Sequence, residues 1–236
     1  WNPGEKVAML WGSDRDFKGA VAHARLKLRW WIENMRWYNA FEMGEEQMAA
    51  FHEDLCRFRP HLLVAYAGAV FTFARYLQSS GKKPSYPLRA IVSSAEVITA
   101  EMKGLVEKVF GRPVFDRYGN REFGAVAAEC EAHDGLHVNS SDVFLEIDSP
   151  DACRIPGPIL ITYLKNYAMP FIRYDTGDLG MLSTKRTCPC GRQSLRLKQV
   201  VGRRSDMIRT GSGGLIHGEF FTHMFYGSNV VRQFQF

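Results

Sequence analysis

The 236-residue chain carries 30 Lys and Arg against 25 Asp and Glu, a formal net charge of +5, with 46% hydrophobic and 23% charged residues. That composition excludes a disordered or collagen-like protein and supplies the core of one large domain or two small ones. The mild positive charge admits a nucleotide, CoA, nucleic acid or a membrane surface as partner without choosing among them.

No stretch approaches the roughly 20 apolar residues of a membrane span, and the first residues lack the layout of a signal peptide, so a cytoplasmic location is expected. Of the five cysteines, Cys188 and Cys190 are too close in sequence for an unstrained mutual disulfide, which favours a metal site and a reducing compartment.

In chain order, residues 7–12 read as a short strand ending in Gly12, and about 15–37 as a helix carrying Ala20, Val21, Ala24, Leu28, Trp31 and Met35 at helical spacing. An amphipathic helix follows over 45–58, stopping before Pro60, then a buried strand over 62–66. A helix over 70–78, a strand over 88–92, a helix over 100–110 and a strand over 113–118 continue the alternation. Strand and helix in turn signify a parallel sheet with helices on its faces. Beyond Gly119 the rhythm changes to short strands over 143–147, 159–163 and 171–174, an antiparallel β subdomain. The expected fold is thus α/β followed by β, divided into residues 1–125, 126–200 and 201–236, the last being a hinge and the start of a further domain.

In open α/β sheets, ligands bind beyond the C-terminal ends of the strands. Two loops have that place: Ser94-Ala95-Glu96 after the 88–92 strand, and Tyr118-Gly119-Asn120-Arg121-Glu122 after the next. Small residues in the first let backbone approach a flat base. In the second, Tyr118 offers a stacking face, Gly119 a tight turn and Glu122 a hard oxygen ligand for Mg²⁺. Asp178, after the turn at Gly177, is placed to accept from vicinal hydroxyls such as those of ribose. Each feature alone also fits an ordinary cap or Asx turn.

Together, residues 118–122, 169–178 (Met-Pro-Phe-Ile-Arg-Tyr-Asp-Thr-Gly-Asp) and 202–208 (Gly-Arg-Arg-Ser-Asp-Met-Ile), in this order and at about this spacing, resemble the AMP-forming, adenylate-forming superfamily. The wording at 117–124 is similar to the phenylacetate-CoA ligase and CapK branch. The resemblance implies an acyl-CoA synthetase-like core that binds ATP or AMP with Mg²⁺, activates a small carboxylic acid as its adenylate, and passes the acyl group to CoA or another acceptor. It implies that Ser94, Ala95 and Glu96 line the adenine pocket with Gly119 and Asn120, that Tyr118 stacks on adenine, and that Glu122 helps hold Mg²⁺. Asp178 would take the ribose hydroxyls, Arg203 would approach ribose or phosphate, and Asp206 would sit at the hinge of a swinging C-terminal domain. Arg121 replaces the superfamily's Thr and offers either an anion contact or a plain surface ion pair.

Two family elements are not found: a Ser/Thr/Gly-rich phosphate loop before Ser93, and a catalytic Lys, the chain ending about 30 residues after Asp206. With Trp1 first and Tyr226 to Phe236 last, the chain reads as a fragment, inactive in adenylation by itself. A CapK-like role in polysaccharide biosynthesis, or a non-catalytic nucleotide-binding module, are the alternatives. The basic, Trp-rich 25–37 segment also allows a nucleic-acid or membrane-surface reading, though cationic stems rimming an apolar helix face suffice to explain it. No nucleic-acid partner is expected, and a homodimer is compatible with the sequence.

Cys130, His137, Cys188 and Cys190 supply three thiolates and an imidazole, the ligand set of a closed tetrahedral zinc site, with His133 as the competing imidazole. The resembling branch carries such a site at these positions. Four protein ligands leave no open position, so its zinc would be structural. Otherwise Cys130 is a core residue and the Cys188–Cys190 pair an exposed turn.

Overall fold

A computed structural model of the chain describes residues 2, 4–12, 20–209, 211 and 215–217, the side chains of residues 20–25, 206–209 and 215–217 excepted. Its elements in order are β1 (Val7–Leu10), α1 (Ala20–Ile32), β2 (Met35–Tyr38), α2 (Glu45–Phe58), β3 (Leu62–Tyr66), α3 (Ala67–Ser80), β4 (Ala90–Ser94), α4 (Ala100–Phe110) and β5 (Val114–Asn120). There follow β6 (Gly124–Glu129), β7 (Leu136–Val138), β8 (Val143–Ile147), β9 (Gly157–Tyr163), β10 (Tyr174–Leu182) and β11 (Arg196–Arg203). A 3₁₀ turn at Arg204–Asp206 leads into a hairpin of β12 (Met207–Arg209) and β13 (Leu215–His217).

Eleven strands form one sheet in the order β2-β1-β3-β4-β5-β6-β7-β11-β10-β9-β8. The β2-β1-β3-β4-β5 portion is parallel and everything from the β5–β6 pair onward is antiparallel. All four residues of β1 are buried, with α2, α3 and α4 over one face and Trp11, Met35 and Trp37 packed on the other, and the strand therefore reads as a continuous apolar run. Ala8 and Leu10 join the core under α2, α3 and α4; Val7 and Met9 join a smaller cluster with Trp11 and Trp37 on the other face. A separate core, including Phe123, Val126, Leu145 and Ile161, fills the antiparallel part. The chain leaves β1 for β2 and then returns to β3 on the other side of β1, so the strand order reverses between β1 and β3. Such a reversal opens a crevice beyond the strand ends.

Local chemistry sets the boundaries. The Thr99 hydroxyl accepts from the Met102 N–H at 3.2 Å to start α4, and Gly111 at φ 62° ends it. Arg59 at φ 55°, just before Pro60, ends α2. The expected long first helix is shorter: Asn34 at φ 53° breaks it and residues 35–38 form edge strand β2 beside β1. Met35 thus leaves the helix, while Leu28 and Trp31 are 58% and 76% exposed. Residues 15–19 of that expected helix lie outside the described residues. The strand expected over 171–174 starts only at Tyr174, after Arg173 at φ 47°. Among the described residues no helix is long and apolar enough to cross a membrane.

Candidate functional site

Beyond the C-terminal ends of β4 and β5 lies a cavity of ≈ 190 Å³, walled by Ala95, Glu96, Asp116, Tyr118, Asp178 and Arg203 among others. The turn out of β4 puts Ala95 at φ 70°, a left-handed conformation that costs a non-glycine residue on the order of 1 kcal/mol. It directs Glu96 back to α3, where the carboxylate accepts from the Gly68 N–H at 2.7 Å, at the positive end of the helix dipole. Ser94 does not face this cavity; it is buried, and its hydroxyl ties β4 to β5 by donating to the Arg117 carbonyl at 2.9 Å.

Asp178 enters from the other side. β10 is bulged between Asp175 and Leu179, with Gly177 at φ 76° and its N–H on the Asp175 carboxylate at 2.9 Å. Asp178 then stands opposite Arg203 in the β10–β11 register and receives Arg203 Nε at 3.2 Å on one oxygen and the Tyr118 hydroxyl at 2.7 Å on the other. A carboxylate offers about four lone-pair positions, so both oxygens keep capacity for a ligand's hydroxyls. Burial, and then the Asp178 charge, push the Tyr118 phenol far above its ordinary range, so it stays protonated and donates to Asp178. Tyr118 is just 9% exposed, and its ring belongs to the antiparallel core as well as to the cavity wall.

Gly119 is not in a turn as expected. β5 runs through it to Asn120, and glycine is required because a Cβ there would stand 2.2 Å from the Gly124 carbonyl oxygen. The Asn120 side-chain oxygen accepts from the Phe123 N–H at 3.0 Å and closes the turn into β6. Glu122 is exposed on that turn, and together with Asn120, Arg121 and Arg203 it lines a second cavity of ≈ 490 Å³ adjoining the first through Ala95, Gly119 and Arg203. The Asp206 backbone ends the 3₁₀ turn; its side chain lies outside the described residues.

Sequence reasoning missed Asp116, which lines the first cavity, and Arg117, which lines both. Strand alternation was the available signal, since Asp116 must share a face of β5 with Tyr118. Burial, then the neighbouring Glu129 charge, raise the Asp116 carboxyl from 3.8 to about 6. A carboxyl that ionises later in the folded than in the unfolded protein stabilises the fold below its ordinary pKa and loses that contribution as pH climbs through about 6. Asp116→Asn is therefore expected to raise the unfolding free energy at pH 7 by about 1–2 kcal/mol after allowing for solvent screening, and by much less at pH 4. Equal shifts at both pH values would refute this.

Away from the cavities, Cys130, His137, Cys188 and Cys190 converge, their ligand atoms all within 4.8 Å of one another. Cys130 Sγ and Cys188 Sγ are 3.6 Å apart, and Cys190 Sγ and His137 Nε2 are 3.4 Å apart. Ligands at about 2.3 Å (S) and 2.0 Å (N) from a tetrahedral zinc stand roughly 3.5–3.8 Å from each other, so the donor set fits the ion. The Ser194 hydroxyl lies 2.7 Å from His137 Nδ1, which orients Nε2 toward the thiols. Burial, with Arg196 and Arg192, keeps the imidazole below its ordinary pKa and hence neutral, as a ligand must be. Arg196, 3% exposed, holds the knuckle by donating to the carbonyls of Asp134, Lys185 and Thr187 at 2.6, 2.9 and 2.8 Å. His133 is elsewhere, its Nδ1 2.9 Å from Glu129; Cys56 and Cys153 are also outside the cluster.

No protein-family model matches the chain. It is 24% identical over 186 residues to Protein CapK of Staphylococcus aureus, covering 78% of this chain and 40% of that protein. To the phenylacetate-coenzyme A ligase of Thermus thermophilus it is 31% identical over 160 residues, 64% of this chain and 36% of that protein. The chain thus spans about two fifths of the length of these curated relatives. Among solved structures, a 2-hydroxyisobutyryl-CoA ligase in the postadenylation state superposes over 97% of this chain and 50% of its own, with a TM-score of 0.73 at 20% identity. A fatty acyl-adenylate ligase structure, from work on the E. coli and L. pneumophila proteins, covers 97% of this chain and 49% of its own, with a TM-score of 0.68 at 16% identity. With two sequence relatives matched over 78% and 64% of its length and the fold of these ligase structures, the chain is similar to AMP-forming, adenylate-forming ligases.

Proposed function

We propose that the chain is the nucleotide-binding core of a ligase that activates a carboxylic acid with ATP. The observation that carries this reading is the Tyr118–Asp178–Arg203 arrangement, a buried carboxylate anchored from both sides at the mouth of a base-sized cavity. In the reaction, a carboxylate oxygen attacks the α-phosphorus of ATP, the bond to the bridging oxygen breaks, and pyrophosphate leaves. The thiol of CoA, or another nucleophile, then attacks the acyl carbon and AMP departs with the bonding pair. Activation is needed because a free carboxylate is a poor electrophile.

In this reading adenine enters the smaller cavity against Tyr118, Ala95, Glu96 and Gly119, and Asp116 faces its polar edge. Asp178 accepts from the ribose hydroxyls. Arg203 and Arg121 stand near the phosphates, where a guanidinium balances developing charge. Glu122 supplies one oxygen to the Mg²⁺ that accompanies ATP. Asp206 lies at the hinge, with residues 1–125 as the nucleotide-binding subdomain and 126–200 as the β-rich one. Zinc held by Cys130, His137, Cys188 and Cys190 would pin the 188–190 loop to the β6–β7 turn and take no chemical role. Cytoplasmic location and homodimer formation belong to the same reading.

Acid-dependent ATP–pyrophosphate exchange tests it, measured on the reading frame that contains this segment with a panel of aryl and fatty acids. Exchange with at least one acid is expected there, and no acid-dependent pyrophosphate release from the 236-residue chain alone. A folded, full reading frame inert toward every acid would replace this reading by a non-catalytic nucleotide-binding module. Likeness to CapK over 78% of the chain favours, as a second reading, an acceptor in polysaccharide biosynthesis in place of CoA.

A further inference from the structure

The larger cavity reaches from the phosphate side, at Glu122 and Arg203, to an aromatic end formed by Trp11 after β1 and Tyr66 at the end of β3. Those two rings lie 4.3 Å apart between centroids, at the reversal of strand order, where the topology itself opens a crevice. Arg117 projects into this end. Its Nε donates to the Ser94 hydroxyl at 3.3 Å and its guanidinium carbon lies 5.7 Å from the Trp11 ring centroid. Among the described residues no carboxylate is within ion-pair distance of it, and its terminal nitrogens have no protein acceptor. The contrast with the other arginines of this region is sharp: Arg203 pairs with Asp178, and Arg196 is saturated by three carbonyls and Asp134.

A half-buried guanidinium without a counter-charge is costly, and burial alone lowers its pKa. Such a group is retained where a ligand completes it. Alternation along β5 puts Arg117 on the opposite face from Asp116 and Tyr118; it borders the smaller cavity as well as the larger, and its guanidinium lies toward Trp11.

Resting on the acid-activating reading above, we infer that the accepted acid carries a second anionic group, a carboxylate or phosphate, which Arg117 binds while a planar part of the acid packs on Trp11 and Tyr66. The nucleotide's own β- and γ-phosphates are the competing source of that anion, and the test separates the two. Calorimetric titration of the chain with AMP and with ATP comes first, followed by phenylacetate and 1,4-phenylenediacetate. Absence of AMP binding would count against the nucleotide reading, independently of the acid titrations. The diacid is expected to bind about 10-fold or more tightly than the monoacid, as a charge-assisted bidentate contact allows. Arg117→Met should reduce that preference to about twofold or less without changing the ratio of ATP to AMP affinity, and Arg117→Lys should keep part of it. The inference is overturned if wild type does not distinguish the two acids or binds neither, if Arg117→Met leaves the preference intact, or if that variant weakens ATP relative to AMP. Should the Met variant not fold, the wild-type preference and the Lys variant still decide.

Discussion

Replacing Asp178 by Ala is expected to weaken AMP binding by about 100-fold, and by Asn about 10-fold, because each hydrogen bond from a ribose hydroxyl to the buried carboxylate is worth about 1.5–3 kcal/mol. The two substitutions differ in what they leave behind. Alanine strands the Tyr118 hydroxyl, whose only other hydrogen-bond partner among the described residues is Thr176 Oγ1 at 3.4 Å, and removes the Arg203 partner. Asparagine keeps one acceptor for Tyr118 but cannot accept from a diol on both atoms. A loss of affinity from general damage would be the same for any nucleotide, so the decisive comparison uses 2′,3′-dideoxy-AMP. Wild type should prefer AMP over the dideoxy analogue by at least 10-fold, and both variants should lose that preference, closing a thermodynamic cycle on the ribose contact. If Asp178→Asn retained the wild-type preference, Asp178 would not be the ribose acceptor, and the cavity between β4, β5 and β10 would need another ligand.

The α/β half was legible because its elements are punctuated by residues with one local use. Pro60 and Gly111 stop helices, Thr99 starts one, and continuous apolar runs mark β3 and β4. What escaped were strands whose residues do not favour strands. β6 is Gly-Ala-Val-Ala-Ala-Glu, β7 has three residues, and β11 is half charged or amide; each exists because neighbours supply pairing on both sides. β2 was absorbed into the preceding helix, since Met35 continued its spacing and only the left-handed turn at Asn34 separates them. At the site, the sequence pattern singled out Asp178 and Arg203 separately. Their pairing depends on a register between two strands, one of them bulged, that no local signal specifies. Arg117 escaped for a related reason: its meaning lies in having no acid opposite it among the described residues, a property of the fold and not of the residues beside it in sequence.

Metal removal should produce the largest effect on stability. The purified chain is expected to hold about one zinc per molecule, and stripping it with a strong chelator should unfold the antiparallel part while the α/β core, from Ala8 to Val114, melts separately at higher temperature. Two strands explain the size of the effect. Cys130 follows β6 directly, and His137 is the middle residue of the three-residue β7, which has only two or three paired positions on either side. So short a strand holds its place by what clamps its ends, and the thiols at 188 and 190 close that clamp from the loop preceding β11. Structural zinc contributes about 10–16 kcal/mol of binding free energy in small domains; a site at the end of an existing sheet should give less, yet a loss above about 3 kcal/mol is expected for Cys188→Ser. Because β11 continues from this clamp to Gly202 and Arg203 at the cavity, AMP affinity should fall in the same variant. His133→Ala is the control, since that imidazole bonds Glu129 and not the cluster: it should leave zinc content unchanged. Zinc content below 0.2 per chain in protein purified without chelator, or a Cys188→Ser variant as stable as wild type, would reduce the cluster to a thiol-lined turn.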